Sequence, residues 1–151
     1  MNEFANKYNE FLLEFGKGRK MVLSSSDGGK VTSRMMSIVV VDGVLYFQTD
    51  ITFRKYSQIK NNPQVALCID NIQIEGICEE CGHPMDNRAF CDVYRECFKS
   101  SFEKYTNLKN ERLFSVRMTF IERWVYKDGV SFVDILDVKN QRYELNEYVG
   151  E

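Results

Sequence analysis

Two Asp-Gly dipeptides constrain this chain more than any other feature. A two-residue hairpin turn of type I′ needs positive φ at both central positions, and Asp-Gly tolerates it. Asp42-Gly43 separates residues 31–41 from 44–49, and Asp128-Gly129 separates 113–126 from 130–138. Each flanking run is rich in β-branched and aromatic residues, so both dipeptides predict antiparallel hairpins. A third turn, Asp27-Gly28-Gly29, follows a strand that starts at Met21, and strands over 64–70 and 72–80 bring the total to six or seven.

Helices sit around these strands. Phe4, Tyr8, Phe11, Leu12 and Phe15 recur at helical spacing before Gly16 and Gly18, which predicts an N-terminal helix within 1–18. Thr52 can cap a short helix over 53–60 that ends before Asn61-Asn62-Pro63. Phe90, Val93, Tyr94, Cys97, Phe98 and Phe102 predict a helix over 86–104. Strands and helices do not alternate regularly and no GxGxxG occurs, which excludes a doubly wound parallel sheet. The expectation is a mainly β fold: one domain over 1–151, an antiparallel β-barrel with peripheral helices. The barrel takes 20–85 and 112–138, the helical segment 86–108, and a polar tail follows 138.

Twenty Lys and Arg against 22 Asp and Glu give a formal charge of −2, with no basic block. That balance argues against a nucleic-acid partner. The apolar run 35–41 is far short of the ~20 residues a spanning helix needs, so no membrane association is expected. The start Met1-Asn2-Glu3-Phe4 has no basic and apolar leader, and five irregularly spaced cysteines do not form a secreted disulfide framework. Both observations point to the cytoplasm. A single histidine, His83, excludes any centre that needs two.

The stretch from Arg34 to Pro63 carries the chemistry. Arg34 lies among Thr32, Ser33 and Ser37, and Thr49, Arg54 and Lys55 follow the next strand at a helix entry. A planar guanidinium fork, an ammonium and free N–H groups at a helix start together suit a terminal phosphate. Pairing through Asp42-Gly43 is expected to bring Arg34 near Thr49 and Asp50. A solvated basic face, with Arg34 paired to a carboxylate, is the alternative.

Arg34-Met35-Met36, Tyr46-Phe47-Gln48-Thr49 and Arg54-Lys55-x-x-Gln58-Ile59-x-x-Asn62-Pro63 resemble the FMN-binding core of the pyridoxamine 5′-phosphate oxidase-like split-barrel flavoproteins. The likeness continues through Gln73-Ile74-Glu75-Gly76 to Ile121-Glu122-x-Trp124, covering about residues 20–135. It implies FMN as cofactor, with Arg34, Arg54 and Lys55 at its phosphate and Gln48 and Thr49 on the ribityl and phosphate side. It also implies that backbone near Met35, Met36 and Ser37 meets the isoalloxazine. Gln73 matches a glutamine that reaches the flavin from the other subunit, and Trp124 an aromatic at the same edge, which implies a homodimer with FMN at its interface. The basic Arg and His pattern that holds a vitamin B6 phosphate in the true oxidases is replaced here by Val130-Ser131-Phe132-Val133-Asp134. The resemblance therefore points to the shorter, general-stress type, an oxidoreductase that passes reducing equivalents from NAD(P)H or a similar donor to a small-molecule substrate. A non-catalytic flavin or haem-type carrier on the same barrel is an alternative of another class.

Cys78, Cys81, His83 and Cys91 form a rival constellation that could hold a structural zinc in an interaction domain. Against it, a strong signature shows two paired knuckles, and here only Cys78 and Cys81 are so spaced.

Overall fold

The computed structural model describes residues 2–150; Met1 and Glu151, the ends of the expected domain, lie outside the described residues. Helix α1 (Glu3–Phe15) starts where the Asn2 side chain accepts from the Ala5 N–H at 2.8 Å, and stops at Gly16, whose φ is 84°. Phe4, Phe11 and Phe15 are its buried face. Burial of each contributes roughly 1.5–3 kcal/mol, and this packing rather than propensity holds the helix.

Strands β1 (Gly18–Asp27), β2 (Lys30–Val41), β3 (Val44–Asp50), β4 (Gln64–Ile69), β5 (Ile72–Glu80) and β6 (Glu111–Lys127) pair in the order β3-β2-β1-β4-β5-β6. Pairing of β3 with β6 closes the ring into a six-stranded antiparallel barrel. Alternation along the strands sends Met21, Leu23, Ile38, Phe47, Leu67, Ile74, Phe114 and Val116 into one core. The outer face of β2, β3 and β6 is covered by α3 (Arg88–Cys97), where Phe90, Cys91 and Tyr94 pack with Val39 and Leu113. Both Asp-Gly turns form as expected, with φ of 50° and 77° at Asp42-Gly43 and 53° and 79° at Asp128-Gly129.

Four expectations are corrected. The supposed polar tail contains β8 (Arg142–Glu147), which pairs with β7 (Val130–Asp137), so there are eight strands. β7 and β8 extend the sheet beyond β6 instead of joining the ring. The helix expected over 86–104 breaks at Phe98, which has φ −138° and ψ 60°, and continues as a short turn and a π-helical segment, Phe102–Thr106. The break keeps Phe98 and Phe102 against the cluster under α3. Finally, helix α2 (Arg54–Asn61) is preceded by Phe53, with no side-chain cap. Thr52 instead donates its hydroxyl to Asp50 Oδ1 at 2.6 Å.

Candidate functional site

The split in the barrel wall makes the site. β2 and β3 pair only where Val39, Val40 and Val41 face Tyr46, Leu45 and Val44. Beyond that, β2 follows β1 down to Asp27 opposite Lys30, while β3 follows β6. The expected hairpin contact between Arg34 and Thr49 or Asp50 therefore does not form. One backbone edge of β2, through Met35, Met36 and Ser37, has no strand partner among the described residues.

Helix α2 fills the gap and gathers the basic residues by another route. Its buried Gln58 accepts at Oε1 from Ser25 Oγ (3.2 Å), Thr32 Oγ1 (2.8 Å) and Arg34 Nη2 (3.1 Å). Arg34 also donates to Leu23 O (3.2 Å), Ser25 Oγ (3.0 Å) and Thr32 Oγ1 (2.7 Å). Asn62 Nδ2 bonds Ser26 O at 2.8 Å, and the Tyr56 hydroxyl donates to Glu80, so α2 is tied to β1 and β5.

These anchors leave the positive charge without a directly paired carboxylate; Glu111 and Asp50 act on Lys55 only from beyond 4 Å. Among the described residues none of Arg34, Arg54 and Lys55 forms an ion pair within 4 Å. Burial, and then the Arg54 charge, lowers the Arg34 pKa; burial, and then Arg34, lowers that of Lys55. Two cations thus press on each other at the start of a helix with no side-chain cap. Thr49 adds the second sign of a binding site. It is 3% exposed, and its Oγ1 has no hydrogen-bond partner. Such orphans are rare in proteins, because an unmade bond leaves the full desolvation penalty. A hydroxyl with no partner and cations with no paired carboxylate suit an anion, and a phosphate ester fits this set.

Other expected residues fall apart from this group. Gln48 points to the opposite face of β3, where its Oε1 accepts from Thr106 Oγ1 at 2.9 Å. Ser37 lies beside the Tyr94 hydroxyl, Met36 packs on the barrel core, and Met35 is 59% exposed. Gln73 and Trp124 lie on the outer sheet face that carries Met35. In register across that face run Met35, Val22, Cys68, Gln73 and Glu122, with Trp124 two residues on. Three strand spacings, roughly 14 Å, separate Gln73 from Met35. One chain therefore does not bring Gln73 or Trp124 to the cations.

Sequence reasoning missed the buttress of Ser25 and Thr32, although Gln58 was in the motif. It also missed Glu111, which nothing in the polar run Asn110-Glu111-Arg112 marks. Nor are the four candidate metal ligands gathered. Cys78 is in the barrel core, where burial pushes its thiol up to about 12. Cys91 Sγ donates to Pro84 O, and Cys81 Sγ to Glu79 O. His83 accepts from Met85 N at Nδ1, so its Nε2 donates to Leu108 O. Among the described residues no group of three or more such side chains could hold a metal ion.

An open groove of about 770 Å³ borders this group at Ser25 and Asn62 and runs away from it across the outer face. Glu75 and Asp137 line it together with Arg117 and Lys139, so it has no preference for an anion. The cationic group is the site its chemistry selects. Among the described residues, no helix is long and apolar enough to cross a membrane.

No family model matches the chain, and no curated protein does. Solved structures do match in fold. General stress protein 26 of Bacillus anthracis strain Sterne is 21% identical over 78% of this chain and 91% of its own, with a TM-score of 0.58. A pyridoxamine 5′-phosphate oxidase-related, FMN-binding protein of Nostoc punctiforme is 12% identical over 96% and 93%, with a TM-score of 0.60. ChuZ of Campylobacter jejuni is 10% identical, covers 95% of this chain and 61% of its own, and has a TM-score of 0.70. The chain has the split-barrel fold of these proteins.

Proposed function

We propose that the chain is an FMN-binding oxidoreductase, working as a homodimer, that passes reducing equivalents from NAD(P)H or a similar donor to a small acceptor. The observation that carries this is the buried, partnerless Thr49 hydroxyl, together with three neighbouring cations of which, among the described residues, none is ion-paired to a carboxylate within 4 Å. The neighbours described as FMN-binding or oxidase-related support the choice of ligand.

Arg34, held by Leu23 O, Ser25, Thr32 and Gln58, would meet the phosphate with its charge and its remaining Nε–H donor. Lys55 and Arg54 would add charge, and Thr49 would donate its hydroxyl. The free edge of β2 at Met35, Met36 and Ser37 offers backbone groups to the polar rim of the ring. The exposed Met35 and the small side chains of Ser33, Ser24 and Ala66 on the same outer face suit a second copy, which would bring Gln73 and Trp124 of the partner subunit to the ring. FMN, when bound, supplies the hydride and one-electron chemistry; the chain supplies binding and orientation.

Titration with FMN and with riboflavin, followed by flavin fluorescence, tests the reading. FMN at one per subunit, with riboflavin at least tenfold weaker and Lys55→Ala losing the difference, is the expected result. Equal affinity for the two flavins, or none for either, would overturn it. Multiple turnovers of NAD(P)H with an added acceptor separate the oxidoreductase from a carrier.

A further inference from the structure

Phe53 is an exposed aromatic at the entry to α2, next to the cations of the site. It holds the N-cap position, where Ser, Thr, Asp or Asn would ordinarily bond the first free N–H groups, and its side chain makes no such bond. The residue is 54% exposed, so core packing does not account for it either. Its backbone is fixed on both sides: Phe53 N–H donates to Asp50 O at 3.1 Å, and Phe53 O accepts from Tyr56 N–H at 3.1 Å. Asp50 Oδ1 closes the same turn by accepting from Thr52 N–H at 2.7 Å and from its hydroxyl at 2.6 Å.

The Lys55 Nζ lies 4.7 Å from the centroid of the Phe53 ring. Among the described residues four other cations lie over rings, and each of those rings has another role. Phe11 and Phe15 belong to the buried face of α1, Phe102 packs on the cluster under α3, and the Tyr143 hydroxyl donates to Asp134. Three of those cations, Lys7, Arg95 and Arg123, also have carboxylate partners, whereas Lys55 has none within 4 Å among the described residues. The face of an aromatic ring carries partial negative charge but no net charge. It therefore restrains an ammonium and leaves its charge intact, where a carboxylate would restrain it and cancel the charge. Gln58 treats Arg34 in the same way, bracing a cation with a neutral acceptor.

We propose that Phe53 is a positioning residue of the phosphate site: its ring holds the Lys55 ammonium in place without neutralising it, so that a phosphate monoester meets an ordered cation at full charge. The inference rests on the phosphate reading of the site. Ordering a free lysine side chain is among the larger entropy costs a ligand can meet, and the ring meets part of it before the ligand arrives. An ammonium has three N–H donors, so contact with one ring face leaves donors for phosphate oxygens.

Proton NMR of the free protein checks the contact, and flavin titrations check its use. The ε-methylene protons of Lys55 are expected upfield of those of the other lysines through the ring current of Phe53, and at the ordinary position in Phe53→Leu. Phe53→Leu should bind FMN about two- to fivefold more weakly, the size of an exposed cation–π contact. Riboflavin, which has no phosphate, should bind as to the wild type. Phe53→Tyr and Phe53→Trp keep a ring face and should keep FMN affinity. In a Lys55→Ala background, Phe53→Leu should cost nothing further. Unshifted Lys55 protons overturn the proposal without any flavin. So do an unchanged or tighter affinity of Phe53→Leu for FMN, an equal loss for riboflavin, and a loss that persists in Lys55→Ala. Those results leave the proposed function standing; failure of the wild type to bind FMN overturns both.

Discussion

Replacing Thr49 by Val separates a ligand-binding hydroxyl from a structural one, because the two roles predict opposite signs. The hydroxyl is buried with no partner, and an unsatisfied buried polar group costs about 1–3 kcal/mol. Val keeps the branched shape that β3 packs and removes that cost. The free variant should therefore be more stable, and its Tm should rise by about 2–4 °C per kcal/mol for a chain of this size. With ligand the effect reverses. A hydrogen bond to a charged group contributes about 1.5–3 kcal/mol, so FMN should bind roughly 10- to 150-fold more weakly. Thr49→Ser retains the hydroxyl and should keep affinity near the wild type while losing some packing. Urea melts without flavin and fluorescence titrations with it give both quantities. A Thr49→Val protein that is less stable and binds FMN normally would show that the hydroxyl has a structural partner.

Two other perturbations follow from the same geometry. The folded-state pKa of Glu111 is raised, to about 7, so ionising it costs the folded protein nothing below about pH 4.5, progressively more up to pH 7, and a constant amount above. Glu111→Gln lacks that cost: in urea melts it should match the wild type at pH 4.5 and exceed it by about 2–3 kcal/mol at pH 8, and equal stabilities at both pH values would refute the assignment. Ala66→Glu places a second negative charge on the outer face, opposite Glu75 and next to Ser24; the expected outcome in sedimentation is a folded monomer with weakened FMN binding, and an intact dimer would move the interface elsewhere.

Local signals survive into the structure where a backbone conformation demands a residue type. Asp42-Gly43 and Asp128-Gly129 were legible because few other dipeptides tolerate two positive φ values in succession. The amphipathic spacing of Phe4, Phe11 and Phe15 was legible for the same kind of reason. β8 was hidden because only Tyr143 and Leu145 alternate within Arg142–Glu147, too short a pattern to distinguish from a polar tail. The break at Phe98 was invisible because Phe98 and Phe102 keep helical spacing while the chain between them turns to hold both rings in one cluster. Within the site, the cations were legible from the motif, but their meeting was misassigned to the hairpin. A turn fixes register only while the strands stay paired, and no local signal marks where β2 leaves β3.

That departure also explains why the site should discriminate charge. Gln58 fills the opening with a neutral acceptor where a carboxylate would have served Arg34 better. Glu in its place would keep the three hydrogen bonds that Oε1 accepts and add a charge-assisted bond to Arg34, which contributes about 1.5–3 kcal/mol. Gln58→Glu should therefore stabilise the free protein, and the same pairing should withdraw Arg34 from an incoming phosphate and weaken FMN by tenfold or more. Gln58→Leu tests the other half of the argument: with Arg34 no longer braced, both stability and affinity should fall. If Gln58→Glu bound FMN as tightly as the wild type, the uncompensated charge of Arg34 would have no part in binding, and the neutral residue at this position would need another reason.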